Sequence, residues 1–199
     1  MFPEQLKNYD IILASKSPRR RELLVQAGIP FRCETKDISE HFPEGSDPIE
    51  VVLMLCSRKA AAFEHELENN QAVVITADTI VVCNEEIINK PDNEKDAIAM
   101  LGKLSGKTHV VHTGVCIRHN HHSRVFYDTT KVGFRELTEG EIRYYVRNYR
   151  PYDKAGAYGI QEWIGYIGII RIEGSYANVM GLPIHRVYEE LLTLLSVCP

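Results

Sequence analysis

Two kinds of pattern alternate along this chain: short unbroken apolar runs, and stretches whose apolar residues recur every three to four positions. The run Ile11-Ile12-Leu13 reads as a buried strand, and the longest run, residues 72–82, is rich in β-branched side chains and reads as a central one. Between them Ser17-Pro18 opens a helix as cap and first helical residue, and Gly28 with Pro30 closes it. Residues 31–33 suit a second strand, followed by a polar loop to near Gly45. Ser46-Asp47-Pro48 begins another helix, along which Val52, Leu55, Lys59 and Ala62 share one face.

Beyond the central run, Glu85-Glu86 makes a turn, Ile87-Ile88 resumes extended structure, and the residue before Pro91, Lys90, is held extended. Residues 93–104 read as a helix with Ala97, Leu101 and Leu104 inward. Residues 108–118 and 124–137 read as strands of a hairpin around the polar turn His119-Asn120-His121-His122-Ser123. Thr138-Glu139-Gly140-Glu141 has the form of a capping box at a helix start. A glycine-rich passage at 151–161 lets backbone approach a ligand or another strand closely. Residues 163–173 suit strands, and Gly181-Leu182-Pro183 opens a final helix carrying Val187, Leu191, Leu192 and Leu195. No repeat, low-complexity tract or long linker marks a domain boundary.

Composition narrows the function. The 199 residues are 44% hydrophobic and 25% charged, as in ordinary globular proteins, with a net charge of −4. That acidic balance argues against a nucleic-acid partner, which draws on a basic surplus across the domain. Cys33, Cys56, Cys83, Cys116 and Cys198 are odd in number, scattered and never in C-x-x-C spacing. They read as reduced, mostly packed thiols of a cytoplasmic protein rather than as metal ligands. The first ten residues carry charges in place of an apolar leader segment, and no apolar run reaches membrane-span length, so no membrane partner is expected.

Against this background a few residues conflict with their local setting. Arg19, Arg20 and Arg21 occupy a first helical turn, where the macrodipole is already positive; an anion at the helix start would resolve the conflict, and so would a solvated basic face. Glu40 lies in a polar loop from which a carboxylate could return to the Ser15–Ser17 loop. Lys59 falls on an apolar face and must either extend to solvent or meet an anion. Asp78 interrupts the most apolar run, so it must be paired, hydrogen-bonded or metal-bound. The His119–His122 cluster lacks a recurring ligand spacing and reads as an exposed turn. Together these residues place cations and carboxylates at the edges of apolar elements, the combination triphosphate chemistry requires. No Walker-type or G-x-G-x-x-G run accompanies them.

Residues 13–20 (LASKSPRR), Ala77-Asp78-Thr79, Lys90-Pro91, Leu104-Ser105-Gly106, residues 153–161 (DKAGAYGIQ), Gly174-Ser175-Tyr176 and Gly181-Leu182-Pro183 together resemble the Maf family of nucleoside triphosphate pyrophosphatases, in family order over nearly the whole chain. The resemblance implies an α/β fold, Maf/ITPase-like, in which a long mixed twisted sheet and flanking helices form two lobes around a cleft within a single domain, residues 1–199. It implies hydrolysis of a nucleoside triphosphate to the monophosphate and pyrophosphate with a divalent cation (Mg²⁺, Mn²⁺ or Co²⁺), in the cytoplasm, and a possible homodimer. By position, Asp78 matches the family's proton acceptor, Ser15, Arg20, Lys59 and Lys90 its substrate- and phosphate-binding residues, and Glu40 with Asp78 its metal ligands. Arg19, Thr79 and Gln161 match the positions that separate a dTTP/UTP subgroup from a 7-methyl-GTP subgroup. An amide and a hydroxyl suit a pyrimidine's carbonyl and imide edge, which favours dTTP and UTP, with modified pyrimidine triphosphates as further substrates. The alternatives are 7-methyl-GTP hydrolysis and a non-catalytic nucleotide-sensing regulator of cell division. Two positions depart from the family pattern: Tyr149-Arg150 stands where Gly-Glu is usual, and Glu162 where Gly often follows Gln161.

Overall fold

A computed structural model describes residues 4–43 and 45–197. Short 3₁₀ turns aside, the chain forms β1 (Asp10–Leu13), α1 (Pro18–Gln26), β2 (Arg32–Cys33), α2 (Pro48–Ala61), β3 (Ala72–Cys83) and β4 (Glu86–Ile88). Then come α3 (Glu94–Leu104), β5 (Thr108–His119), β6 (His122–Phe134), α4 (Glu139–Tyr149), α5 (Trp163–Gly168), β7 (Ile169–Glu173), α6 (Tyr176–Met180) and α7 (Ile184–Val197). The strands make one seven-stranded sheet in the order β2-β1-β3-β5-β6-β7, with β4 beside β3. β1 runs parallel to β2 and β3, whereas β4 on β3 and β7 on β6 are antiparallel, so the sheet is mixed as expected.

The chain divides into two compact units. One comprises Met1–Asp78, Thr113–Asp128 and Gly181–Pro199; the other comprises Thr79–His112 and Thr129–Met180. In the first, β1 pairs in register with β3 from Asp10↔Ala72 to Leu13↔Ile75, and both are buried almost throughout, which is why neither alternates polar and apolar residues. Asp47 caps α2 by accepting from the backbone N–H groups of Ile49 and Glu50, and Pro48 takes the first helical position. The backbone of α2 lies directly on β5: a Cβ on Gly114 would sit 2.5 Å from the Val52 carbonyl oxygen, so only glycine fits there. This close approach fixes α2, and hence Lys59, on the sheet.

In the second unit, Ala97, Leu101 and Leu104 of α3 are fully buried, as their spacing predicts. The Thr138–Glu141 capping box forms, with Glu141 also held by Arg135 at 2.7 Å. Four expectations are corrected. Residues 163–168 are helical and only 169–173 extended: Ile164, Gly165 and Gly168 make a buried helical face, and a Cβ on Gly165 would lie 1.9 Å from the Ile160 carbonyl oxygen. β6 ends at Phe134; beyond it the Arg135 backbone bonds outside the strand ladder, its N–H donating to the Gly168 carbonyl at 2.9 Å and its carbonyl accepting from the Gly106 N–H at 3.0 Å. The hairpin turns at Asn120-His121, with Asn120 at φ 50°, so His119 belongs to the strand. It is buried with Nδ1 2.9 Å from the Ala72 carbonyl oxygen, not exposed in a turn. In α7, Leu194 rather than Leu192 joins Val187, Leu191 and Leu195 in the core. Cys56, Cys83 and Cys116 are buried free thiols, but Cys33 is exposed; Cys198 lies outside the described residues.

Candidate active site

The first unit carries the charged cluster. β1 delivers the chain into the loop at Ser15, whose Oγ accepts from the Ser17 backbone N–H at 3.2 Å, and Ser17 in turn caps α1. One turn into α1, Arg20 reaches back over this loop. Its Nε donates to the Gly181 carbonyl at 2.7 Å; its Nη1 donates to the Ala77 carbonyl at 2.8 Å and to Ser15 Oγ at 3.3 Å. One guanidinium therefore ties the loop after β1 to the residue before Asp78 and to the turn before α7. Burial pushes the Arg20 pKa below its ordinary value and the Arg19 charge adds to this, while Asp78 and Glu40 oppose it. Arg19 is half-buried, whereas Arg21 is exposed with a long contact of 3.5 Å to the Lys16 carbonyl.

Lys59 resolves its two readings in favour of anions. Its Nζ pairs with Asp78 Oδ1 and lies 2.7 Å from Glu40 Oε1, so the two carboxylates converge on one ammonium. The helical spacing puts Lys59 on the apolar face of α2, and the loop carrying Glu40, expected to return to the Ser15–Ser17 loop, brings its carboxylate to Lys59. In a core cluster with Ala60, the Cys56 and Cys116 thiols are pushed up to about 12 and about 11, mainly by burial, which keeps them protonated and inert. Among the described residues no group of three or more His, Cys, Asp or Glu side chains is poised around a metal position.

The second unit carries Thr79, Lys90 and Gln161. Thr79 follows Asp78 on β3 and its side chain leaves the opposite face of the strand. Lys90 is exposed, and the carbonyl of its neighbour Asn89 accepts from the Gly156 N–H at 3.1 Å, which fastens the Lys90 segment to the glycine-rich loop. Gly156 takes φ 71° there, and a Cβ on it would press on Val81. Gln161 is half-buried, with a buried Oε1 that has no hydrogen-bond partner.

The same loop holds a polar cluster that sequence reasoning missed. Lys154 is buried, with its Nζ 2.7 Å from Asp153 Oδ1 and 3.2 Å from Glu162 Oε1. Glu162 Oε2 accepts from the Tyr145 hydroxyl, which itself accepts from the Gly159 N–H at 3.0 Å. A lysine inside a glycine-rich passage was the available signal. The sequence pattern around it is too irregular to say which way the side chain points.

A family model for Maf-like proteins matches residues 10–194. The chain belongs to the Maf family. Among curated Maf-family relatives, a protein of Porphyromonas gingivalis named dTTP/UTP pyrophosphatase is 50% identical over 192 residues, covering 94% of this chain and 96% of the relative. Proteins of the same name from Phocaeicola vulgatus and Flavobacterium johnsoniae are 50% and 46% identical, covering 96% and 98% of this chain and 99% and 100% of theirs. Among solved structures, the Staphylococcus aureus Ham1 protein aligns with a TM-score of 0.43 at 14% identity over 63% of this chain and 71% of that one, too distant to carry a conclusion. The Maf motifs coincide with the geometry: LASKSPRR forms the Arg20-clamped loop, Ala77-Asp78 the end of its clamp, and DKAGAYGIQ the Lys154 loop. No helix among the described residues is long and apolar enough to cross a membrane.

Proposed function

We propose that this chain hydrolyses dTTP and UTP to the monophosphate and pyrophosphate. The observation that carries the reading is the convergence of Glu40 and Asp78 on Lys59, in a chain half identical to proteins named for that activity. Lys59, Lys90 and the Ser15–Arg20 loop neutralise and orient phosphate oxygens; Arg20 acts mainly by holding that loop, since its Nε and Nη1 are spent on carbonyls and Ser15. Asp78 takes the proton of the attacking water, and Lys59 beside it holds the carboxylate in place. Arg19, Thr79 and Gln161 select the base.

Two hard oxygen donors already gathered around a positive charge suit a divalent cation, which Glu40 and Asp78 would hold with substrate oxygens completing the shell. When bound, that cation supplies neutralisation of charge on the triphosphate. The cytoplasm, where such nucleotides occur, is the compartment of action, and a second copy of the chain is a possible partner.

The test is a hydrolysis panel of dTTP, UTP, CTP, 7-methyl-GTP and 5-methyl-UTP, each with Mg²⁺, Mn²⁺ and Co²⁺, reading pyrophosphate and orthophosphate separately. Pyrophosphate from dTTP and UTP, absent with Asp78→Asn, is the expected result. Binding without pyrophosphate release would leave a nucleotide-sensing regulator instead, and preferred turnover of 7-methyl-GTP would overturn the base assignment.

A further inference from the structure

We propose that Glu162 is the positioning residue for Gln161: with Tyr145 and Lys154 it bolts the loop that carries the amide, and thereby sets how sharply the enzyme discriminates between pyrimidine bases. The inference rests on the reading of Gln161 as a base-selecting residue.

The neighbours of Gln161 are fixed on both sides by one polar chain. Upstream, the Gly159 N–H donates to the Tyr145 hydroxyl at 3.0 Å; downstream, Glu162 Oε2 accepts from the same hydroxyl. Tyr145 is fully buried in α4, an anchor with little freedom to move. The Glu162 carboxyl carbon would lie 2.7 Å from a Cβ on Gly159, so the carboxylate packs against the bare Cα of that glycine and closes the loop on itself. Lys154, with its side chain only 9% exposed, neutralises the carboxylate at 3.2 Å. Glu162 also precedes α5 as its N-terminal cap, so the loop passes from this network directly into regular structure. Nothing else in the proposed chemistry uses these four residues.

The physical need is clear from the amide itself. A carboxamide presents a donor and an acceptor of nearly identical shape, so it distinguishes uracil from cytosine only if its position and its facing end are held. The Gln161 Oε1 has no hydrogen-bond partner, so side-chain bonding through that atom does not hold it. The backbone on either side is what the Tyr145–Glu162 chain holds.

The experiment compares Glu162→Gln, Tyr145→Phe, Gln161→Ala and the double variant Gln161→Ala/Glu162→Gln in the full chain. One measurement is the ratio of kcat/KM for UTP to that for CTP, and a second is amide hydrogen exchange of the 156–163 segment. Tyr145→Phe removes only an oxygen atom and guards against misfolding of the charge variant. Faster exchange in both single network variants is expected, with the UTP:CTP ratio falling about tenfold and kcat for UTP changing less than the ratio. In the Gln161→Ala background, Glu162→Gln should add no further loss of the ratio. Unchanged exchange in both variants overturns the positioning role. Faster exchange with an intact ratio, while Gln161→Ala collapses it, overturns the link to specificity alone. An intact ratio in Gln161→Ala overturns the base-selecting role of Gln161 and, with it, this inference.

Discussion

Two clusters of the same composition occur in this chain, one in each compact unit, and they differ in what completes them. Lys59 with Asp78 and Glu40 matches Lys154 with Glu162 and Asp153: one ammonium between an enclosed and an exposed carboxylate. Even the side-chain exposures correspond, at 16%, 12% and 47% against 9%, 19% and 54%. Burial therefore does not tell them apart. The further partners do. Glu162 has its second oxygen engaged by Tyr145, which also takes up a backbone N–H, so that cluster is closed on itself. At Asp78 the pair engages Oδ1, and among the described residues no hydrogen bond reaches Oδ2. A satisfied charge cluster serves structure; one with acceptor capacity in hand serves chemistry.

The sharpest way to break this comparison is to remove one enclosed carboxylate from each. Asp78→Asn is expected to lower pyrophosphate release by about 10²–10⁴-fold while leaving the melting temperature near that of the parent. Glu162→Gln is expected to keep kcat within a few-fold. Substantial turnover by Asp78→Asn would erase the distinction. Next in size, Lys154→Met and Lys59→Met each strand a largely enclosed carboxylate and should each cost about 3 kcal/mol in urea unfolding, but only Lys59→Met should also lower kcat/KM more than tenfold. Equal losses of kcat/KM in the two variants would show that the two clusters are alike.

A smaller effect belongs to the second unit alone. Arg135 beside Glu141, with the Thr138 backbone N–H, holds the Glu141 carboxyl down to about 2. The unfolded chain takes up that proton near pH 4.3, so the group's contribution is complete above that pH and lost as pH falls toward 2. Burial likewise holds His109 down to about 4; the unfolded chain binds a proton below about 6.5 that the buried ring refuses, so stability drops as pH falls from 6.5 toward 4. Melting temperature against pH should flatten in the lower window for Glu141→Gln and in the upper for His109→Gln. The smallest effect is expected at Arg21, whose exposed side chain makes a long contact of 3.5 Å to the Lys16 carbonyl: Arg21→Ala should change kcat/KM less than about twofold and stability by under about 0.5 kcal/mol.

Much of the fold was legible because local chemistry and tertiary context agree. The Ser17 cap, the proline at the start of α2, the Thr138–Glu141 box and the three inward residues of α3 each satisfy a backbone or burial requirement set within a few residues. Residues 163–168 were misread because their glycines, which weaken a helix on propensity, are there to let one backbone pass close to another. His119 was misread because a turn's polarity extends past the turn itself.

The sequence by itself determined the alternating α/β elements, the conflict of three arginines at one helix start, and the isolation of Asp78 and Lys59 on apolar elements. Motif order determined the family. Only the tertiary structure decided that Lys59 meets Asp78 and Glu40, that Arg20 spends itself on carbonyls of distant segments, and that Glu162 closes a cluster of its own. The reason is reach: caps and periodicity act within a turn of helix or one strand, whereas a charged side chain chooses its partner among groups 8 to 161 residues away, which no local pattern encodes.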